Sequence, residues 1–248
     1  MSDMTPSPES GALRVAAIGD LHVTESMSRP YRDLFAQVSN EADVLVLCGD
    51  LTNYGKPSEA QVLAEDLHAC AIPILAVLGN HDHESGCVDE VKQTLTQAGA
   101  RILDNGEAIE LHGVGFAGCM GAMGGFGRGM LSAFGEASVK TFVQACLEET
   151  MKLETGLRML RTDRAVAVTH YAPITTTLEG EPFEIFPFLG NSRLGETIDR
   201  FDNVRLAFHG HAHRGCFRGA TPKGVPVYNV ARPVLARMGD RPFAVFDV

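Results

Sequence analysis

Three apolar runs, at residues 13–18, 44–48 and 74–78, each stop at a glycine followed by a side chain with an oxygen to offer: Gly19-Asp20, Gly49-Asp50 and Gly79-Asn80. Near-continuous apolarity over such short lengths, rich in Val, Ile and Leu and interrupted at Arg14 alone, marks strands of a parallel sheet covered by helices. The intervening segments, 31–40, 58–70 and 88–98, have helical spacing, so the first hundred residues read β-α-β-α-β-α. A second series of strands is predicted at 107–111, 114–118, 165–169, 204–208, 225–230 and 243–247, divided by a long amphipathic helix over 138–160. Two sheets packed between helices accommodate this order. No linker or fixed-period repeat divides the 248 residues, so one domain is expected over 13–248, preceded by a polar, proline-bearing and flexible tail at 1–12.

Acidic residues number 31 against 21 basic ones, a net charge of −10, which denies the chain a diffuse positive field for nucleic acid or anionic lipid. Any phosphate must therefore be held locally. No apolar run approaches the roughly 18 residues that cross a bilayer, and the first residues lack a secretory pattern, so a cytoplasmic protein without membrane insertion is expected. The six cysteines, Cys48, Cys70, Cys87, Cys119, Cys146 and Cys216, form no CxxC pair and read as inert thiols rather than a disulfide frame or a thiolate zinc site.

The strand ends carry the chemistry. They read Asp20-Leu21-His22, Gly49-Asp50, Gly79-Asn80-His81-Asp82, Thr169-His170 and Gly210-His211-Ala212-His213. In open α/β sheets the carboxyl ends of parallel strands converge on one crevice. Asp20, His22, Asp50, Asn80, His170, His211 and His213 then present a mixed oxygen and nitrogen set suited to borderline divalent transition metals. Seven ligands exceed what one tetrahedral ion takes. The simplest partition shares a carboxylate between two ions about 3.5–4 Å apart. Asp20 and His22, and likewise His211 and His213, are two residues apart and are expected on one face of an extended segment. Gly49, Gly79 and Gly210 precede ligands at points where a Cβ is expected to be excluded.

These five blocks, in this order, resemble the signature blocks of the calcineurin-like metallophosphoesterase superfamily over residues 14–247. The resemblance implies an α/β fold, a four-layer αββα sandwich with two mixed β-sheets flanked by helices. It also implies two divalent metal ions per chain, Mn, Fe or Zn. Block by block, it gives Asp20, His22, Asp50 and His213 to one ion and Asp50, Asn80, His170 and His211 to the other, with Asp50 bridging and His81 binding neither. The implied reaction is in-line attack on phosphorus by a hydroxide formed between the cations, with His81 as general acid. Many relatives place an Asp three residues after the bridging Asp to orient the catalytic His; here Asn53 stands there, an amide able to orient the imidazole but not to stabilise its charged form as a carboxylate would.

Asn53-Tyr54-Gly55 and Asp82 also depart from the Ser/Thr protein phosphatase pattern, which points to the bacterial phosphodiesterase branch and a small-molecule phosphoester substrate. A nuclease of the same superfamily is the alternative, opposed by the acidic charge, followed by a non-catalytic metal-binding scaffold, opposed by the full ligand set. Substrate and oligomeric state stay open.

His68, His83, His112 and His209 are expected to be structural or surface residues. Residues 113–118 match GxGxxG formally, but no helix is expected to follow, so their glycines are read as permitting close sheet packing. The Gly-rich stretch 121–129 is placed as a loop over the pocket, where Arg128, and separately Arg232, are candidate phosphate contacts against the alternative of solvated surface charges.

Overall fold

The structure, a computed structural model, describes residues 12–239 and 241–248. The expected tail at 1–12 lies, but for residue 12, outside the described residues. The chain runs β1 (Arg14–Ile18), α1 (Arg32–Glu41), β2 (Val44–Cys48), α2 (Pro57–Leu67), β3 (Ile74–Val77), α3 (Val88–Gln97), β4 (Ala100–Ile102), β5 (Ala108–Leu111) and β6 (Val114–Cys119). It continues α4 (Ala137–Met159), β7 (Ala165–Thr169), α5 (Phe186–Leu189), α6 (Ser192–Ile198), β8 (Val204–His209), β9 (Arg218–Ala220), β10 (Pro226–Asn229), α7 (Arg232–Met238) and β11 (Ala244–Asp247).

Two sheets form, ordered β11-β1-β2-β3-β4 and β5-β6-β7-β8-β10-β9. Within the first, β1 to β4 pair in parallel and β11 closes the edge antiparallel to β1. In the second, β6, β7, β8 and β10 are parallel, with β5 and β9 antiparallel at the edges. Both sheets are mixed, as the resemblance implied.

Period-two alternation assigns the faces. In β6, β7 and β8, Val114, Phe116, Val166, Val168, Leu206 and Phe208 join one core with the strands of the first sheet, so these faces lie between the sheets. Ala117, Cys119, Ala165, Ala167 and Ala207 point the other way, onto Leu153 and Leu157 of α4 and Leu194 and Ile198 of α6. Phe35 and Val38 of α1, Leu63 and Leu67 of α2, and Val91 and Leu95 of α3 cover the first sheet's outer face. The VLVLC run of β2 is buried at every position because it is the central strand of a sheet covered on both sides.

Three-residue strands β4 and β9 and the short helices α5, α6 and α7 are additions to the predicted set. At α6 the Asn191 side chain accepts hydrogen bonds from the N–H groups of Arg193 and Leu194, and this cap starts a helix of 7 residues. No helix follows the 113–118 glycines; a Cβ at Gly118 would meet the Val168 carbonyl and Val77, so close sheet packing accounts for it. All six cysteines are free: Cys48, Cys119 and Cys146 are buried, Cys70 and Cys87 half-buried, and Cys216 is exposed. Among the described residues no helix is long and apolar enough to cross a membrane.

Candidate metal centre

The carboxyl ends of β1, β2, β3, β7 and β8 meet along one edge of the sandwich, tied by main-chain hydrogen bonds from Asp20 to Gly49 (2.9 Å), His22 to Asp50 (2.9 Å) and Gly210 to His170 (3.1 Å). Asp20 and His22 are not on an extended segment. Both have positive φ, 59° and 46°, as do Asp50 at 50° and His211 at 68°. The expectation of extended pairs is corrected: the chain turns inward as it leaves each strand, and left-handed backbone aims the side chains and the neighbouring N–H groups at one point. Such residues cost of order 1–3 kcal/mol each and survive where their surroundings over-determine them.

The close approaches are backbone-deep. A Cβ at Gly49 would fall on the His170 ring, one at Gly79 on the Asp50 carboxylate and main-chain nitrogen, and one at Gly210 on the Asp20 carboxylate and the Cys48 carbonyl. Gly49 also has φ +80°. Each glycine thus makes room for a ligand that belongs to a different strand end.

The donor atoms fall into three overlapping groups, each within 4.8 Å: Asp20, His22 and His213; His22, Asp50 and His81; and Asp50, His170 and His211. His213 Nε2 lies 2.9 Å from Asp20 Oδ1, and His22 Nε2 lies 3.4 Å from His213 Nε2 and 3.8 Å from Asp50 Oδ2. On the other side His170 Nε2 is 3.4 Å from Asp50 Oδ1 and 3.0 Å from Asn80 Oδ1. All seven residues expected as ligands are therefore in one place, with Asp50 between the two sets.

The chemistry of this donor set fits a pair of cations. Asp20 and Asp50 are only 2% and 1% exposed and face imidazoles, with no Lys or Arg paired to either among the described residues. The His170 ring donates its Nδ1–H to the Cys48 carbonyl at 3.0 Å, so in the neutral ring the Nε2 lone pair confronts the Asn80 oxygen, two acceptors face to face. His22 Nε2 and His213 Nε2 lie 3.4 Å apart, near enough for one cation to draw on both. A cation between such atoms turns a repulsive contact into coordination, and the carbonyl behind His170 fixes the tautomer that coordination needs.

Electrostatics agree with this arrangement. Burial works to raise the Asp20 carboxyl, but the His213 hydrogen bond and the surrounding imidazoles outweigh it and hold Asp20 below the usual range. Burial pushes His211 down to about 4, with His170 adding to the effect, and burial also lowers His22, so both rings are neutral donors near pH 7. His213 is raised, chiefly by its bond to Asp20. His211 donates Nε2–H to the Phe188 carbonyl at 3.2 Å, which leaves Nδ1 as its free donor.

His81 is half-buried at the rim, its ring 4.7 Å from that of His22. It donates Nδ1–H to the main-chain carbonyl of Asn53 at 2.7 Å, with Glu84 Oε2 3.7 Å from the same nitrogen. Asn53 thus meets His81 through its backbone, where the sequence alone suggests its side-chain amide; a carbonyl is present whatever residue stands there.

Sequence reasoning missed two residues. Asp82, fully buried, accepts from the N–H groups of Thr52 (2.7 Å), Gly79 (2.9 Å) and Leu51 (3.2 Å) and from the Thr52 hydroxyl (2.6 Å), locking the loops that carry Asp50 and Asn80. Its signal was its position inside the Gly79–Asp82 block. Tyr171, next to His170, packs its ring 4.5 Å from that of His211. Arg128 is exposed, and Arg232, also exposed, lies over the Tyr31 ring at 5.4 Å; neither is in the donor groups. His209 is buried and bonded to Thr177 Oγ1 (2.8 Å) and the Gly210 carbonyl (2.7 Å), a structural residue as expected.

Known proteins are similar to this chain in sequence or in fold. The glycerophosphodiester phosphodiesterase GpdQ of Enterobacter lignolyticus (strain SCF1) is 23% identical over 171 residues, 69% of this chain and 56% of that protein, so the chain spans little more than half the relative's length. Among solved structures, the phosphopantetheinyl hydrolase PptH from Mycobacterium tuberculosis has a TM-score of 0.67 at 14% identity, over 96% of this chain and 97% of that one. TT1561 of Thermus thermophilus has a TM-score of 0.54 at 13% identity, over 95% of this chain and 99% of that one. Both likenesses concern the fold. A family model described as calcineurin-like phosphoesterase matches residues 13–215, which is most of the chain and takes in all five ligand-bearing loops. The chain belongs to the calcineurin-like phosphoesterase family.

Proposed function

We propose that this chain is a binuclear metal-dependent phosphodiesterase of the bacterial branch, acting on a small phosphate diester as one domain over 13–248. The observation that carries the reading is Asp50: buried, and shared by the donor groups on either side of it. Asp20, His22, Asp50 and His213 would hold one divalent ion, and Asp50, Asn80, His170 and His211 the other. When bound, such a pair supplies Lewis acidity, lowering the pKa of water and neutralising charge on phosphoryl oxygens.

The remaining steps belong to the side chains. His81 carries a proton on Nε2 and gives it to the leaving ester oxygen, while Nδ1–H stays on the Asn53 carbonyl and keeps the ring aimed. Asp82 keeps the Asp50 and Asn80 loops in register, so the donors are placed before substrate arrives. The GpdQ relative, a glycerophosphodiester phosphodiesterase, supports a small diester as the substrate class. The net charge of −10 opposes the nuclease alternative.

The test is hydrolysis of bis(4-nitrophenyl) phosphate against 4-nitrophenyl phosphate after reconstitution with Mn, Fe or Zn. Metal-dependent turnover favouring the diester supports the reading; turnover that persists in chelator, or that favours the monoester, overturns it.

A further inference from the structure

A cavity of about 290 Å3 opens beside the donor groups at the carboxyl end of β6. It shares a wall with them. Met120 lines the cavity, and its carbonyl accepts the main-chain N–H groups of both His170 and Tyr171 at 3.0 Å. Tyr171 also lines it, with its ring 5.5 Å from the His170 ring and 4.5 Å from the His211 ring. Neither this cavity nor a larger groove of about 650 Å3 between Pro173–Thr176 and α6 is lined by any of the seven ligands, but only the first has Met120 and Tyr171, which touch them, in its wall.

The lining decides what fits. Met120 and Met123 come from the segment after β6, and Phe142 and Cys146 from α4, so most of the surface is apolar and adaptable. Glu149 and Lys152 lie within it and are paired with each other, so the charge left on the lining is the single negative one of Glu148, which disfavours an anionic occupant. Glu148 at the outer edge is exposed and bonded to Gln144. The Tyr171 hydroxyl has no hydrogen-bond partner among the described residues, and a phenolic O–H is a donor at neutral pH. One hydrogen-bond donor therefore stands at the joint between the polar centre and the apolar cavity.

We propose that this cavity seats one ester group of the phosphodiester, an uncharged and largely apolar substituent, with Tyr171 donating to an ester oxygen at the entrance. This rests on the phosphodiesterase reading of the centre. At roughly 30 Å3 per small group, the volume accommodates about eight to ten non-hydrogen atoms. Diesters with only methyl-sized substituents leave the Met120, Met123 and Phe142 surface wet, so they are the poorer substrates.

The experiment compares 4-nitrophenyl methyl phosphate with 4-nitrophenyl butyl phosphate on the Mn-reconstituted full chain. Each methylene taken into the cavity is worth about a two- to fourfold gain, so kcat/KM is expected to rise about tenfold or more from methyl to butyl. Competitive inhibition by methylphosphonate and butylphosphonate follows the same order. Ala145→Trp, on the α4 wall, fills the cavity and brings the butyl-to-methyl ratio toward one. A flat chain-length profile with both diesters hydrolysed overturns the cavity assignment alone. So does an undiminished ratio in the folded Ala145→Trp protein, since the butyl chain then lies elsewhere. Hydrolysis of neither diester overturns the phosphodiesterase reading and this inference with it.

Discussion

Replacing Gly79 by Ala adds a methyl group in place of a hydrogen, and the structure places that carbon on the carboxylate and main-chain nitrogen of Asp50, with His170 Cε1 at 2.8 Å. None of these is the loose end of a surface side chain. Asp50 Oδ1 also accepts the His81 N–H at 2.9 Å, so moving the carboxylate breaks a bond to a charged acceptor. The lost bond is worth about 1.5–3 kcal/mol and the overpacking about 1–3 kcal/mol, so a destabilisation of roughly 3–5 kcal/mol follows. In a chain of this size that lowers Tm by about 10 °C.

The Asp50 carboxylate is displaced at the same time, so under the proposed function metal binding is expected to fail along with stability. Gly129→Ala is the matched control: its φ is ordinary and a Cβ there meets nothing within 4 Å. Reduced freedom in the unfolded chain makes that variant neutral or more stable by about 0.4–1 kcal/mol. The assay is thermal unfolding with and without Mn, together with calorimetric titration of the metal. A Gly79→Ala protein that keeps both its Tm within about 2 °C and its metal affinity refutes the packing argument.

Other substitutions separate the roles. His81→Gln is expected to lower kcat about 100- to 10,000-fold on diesters with alkyl leaving groups, and far less where 4-nitrophenol leaves, because a good leaving group needs no proton; equal losses on both would remove the general-acid role. Asn53→Ala keeps the carbonyl that holds His81 and should leave kcat within about twofold, whereas a loss above about tenfold would show that the amide side chain contributes. His209 is held at about 4, first by burial, so its folded value lies below the unfolded 6.5. Its neutral form stabilises the fold above pH 6.5, and that contribution is lost as pH falls toward 4, at about 1.4 kcal/mol per pH unit. Urea titrations of metal-free protein should show this slope, and His209→Asn should flatten it; an unchanged slope would assign the acid sensitivity to other groups.

Much of this architecture was legible because burial and ligation both leave marks on the sequence. The β2 run VLVLC is apolar at every position because it is central, and Gly49-Asp50 follows because a ligand and the space for its neighbour must both fit at the strand end. The glycines at 79 and 210 were readable for the same reason. The three residues each of β4 and β9 are too few to show alternation, and α5 has only four, so these elements left no period to detect. The left-handed backbone at Asp20, His22 and His211 was invisible because these residue types also occur in ordinary extended chain. The His81 contact escaped because a main-chain carbonyl has no sequence signature, and Asp82 because a carboxylate that braces loops looks the same as one that binds metal.

Two ions held about one shared aspartate are the centre of the proposed chemistry. Metal content per folded chain, measured after Mn reconstitution in the unaltered protein and in Asp50→Asn, tests this most directly. Two ions per chain, both weakened together by the substitution, are the predicted result. A folded protein that binds none, or an Asp50→Asn variant that keeps both at undiminished affinity, contradicts it.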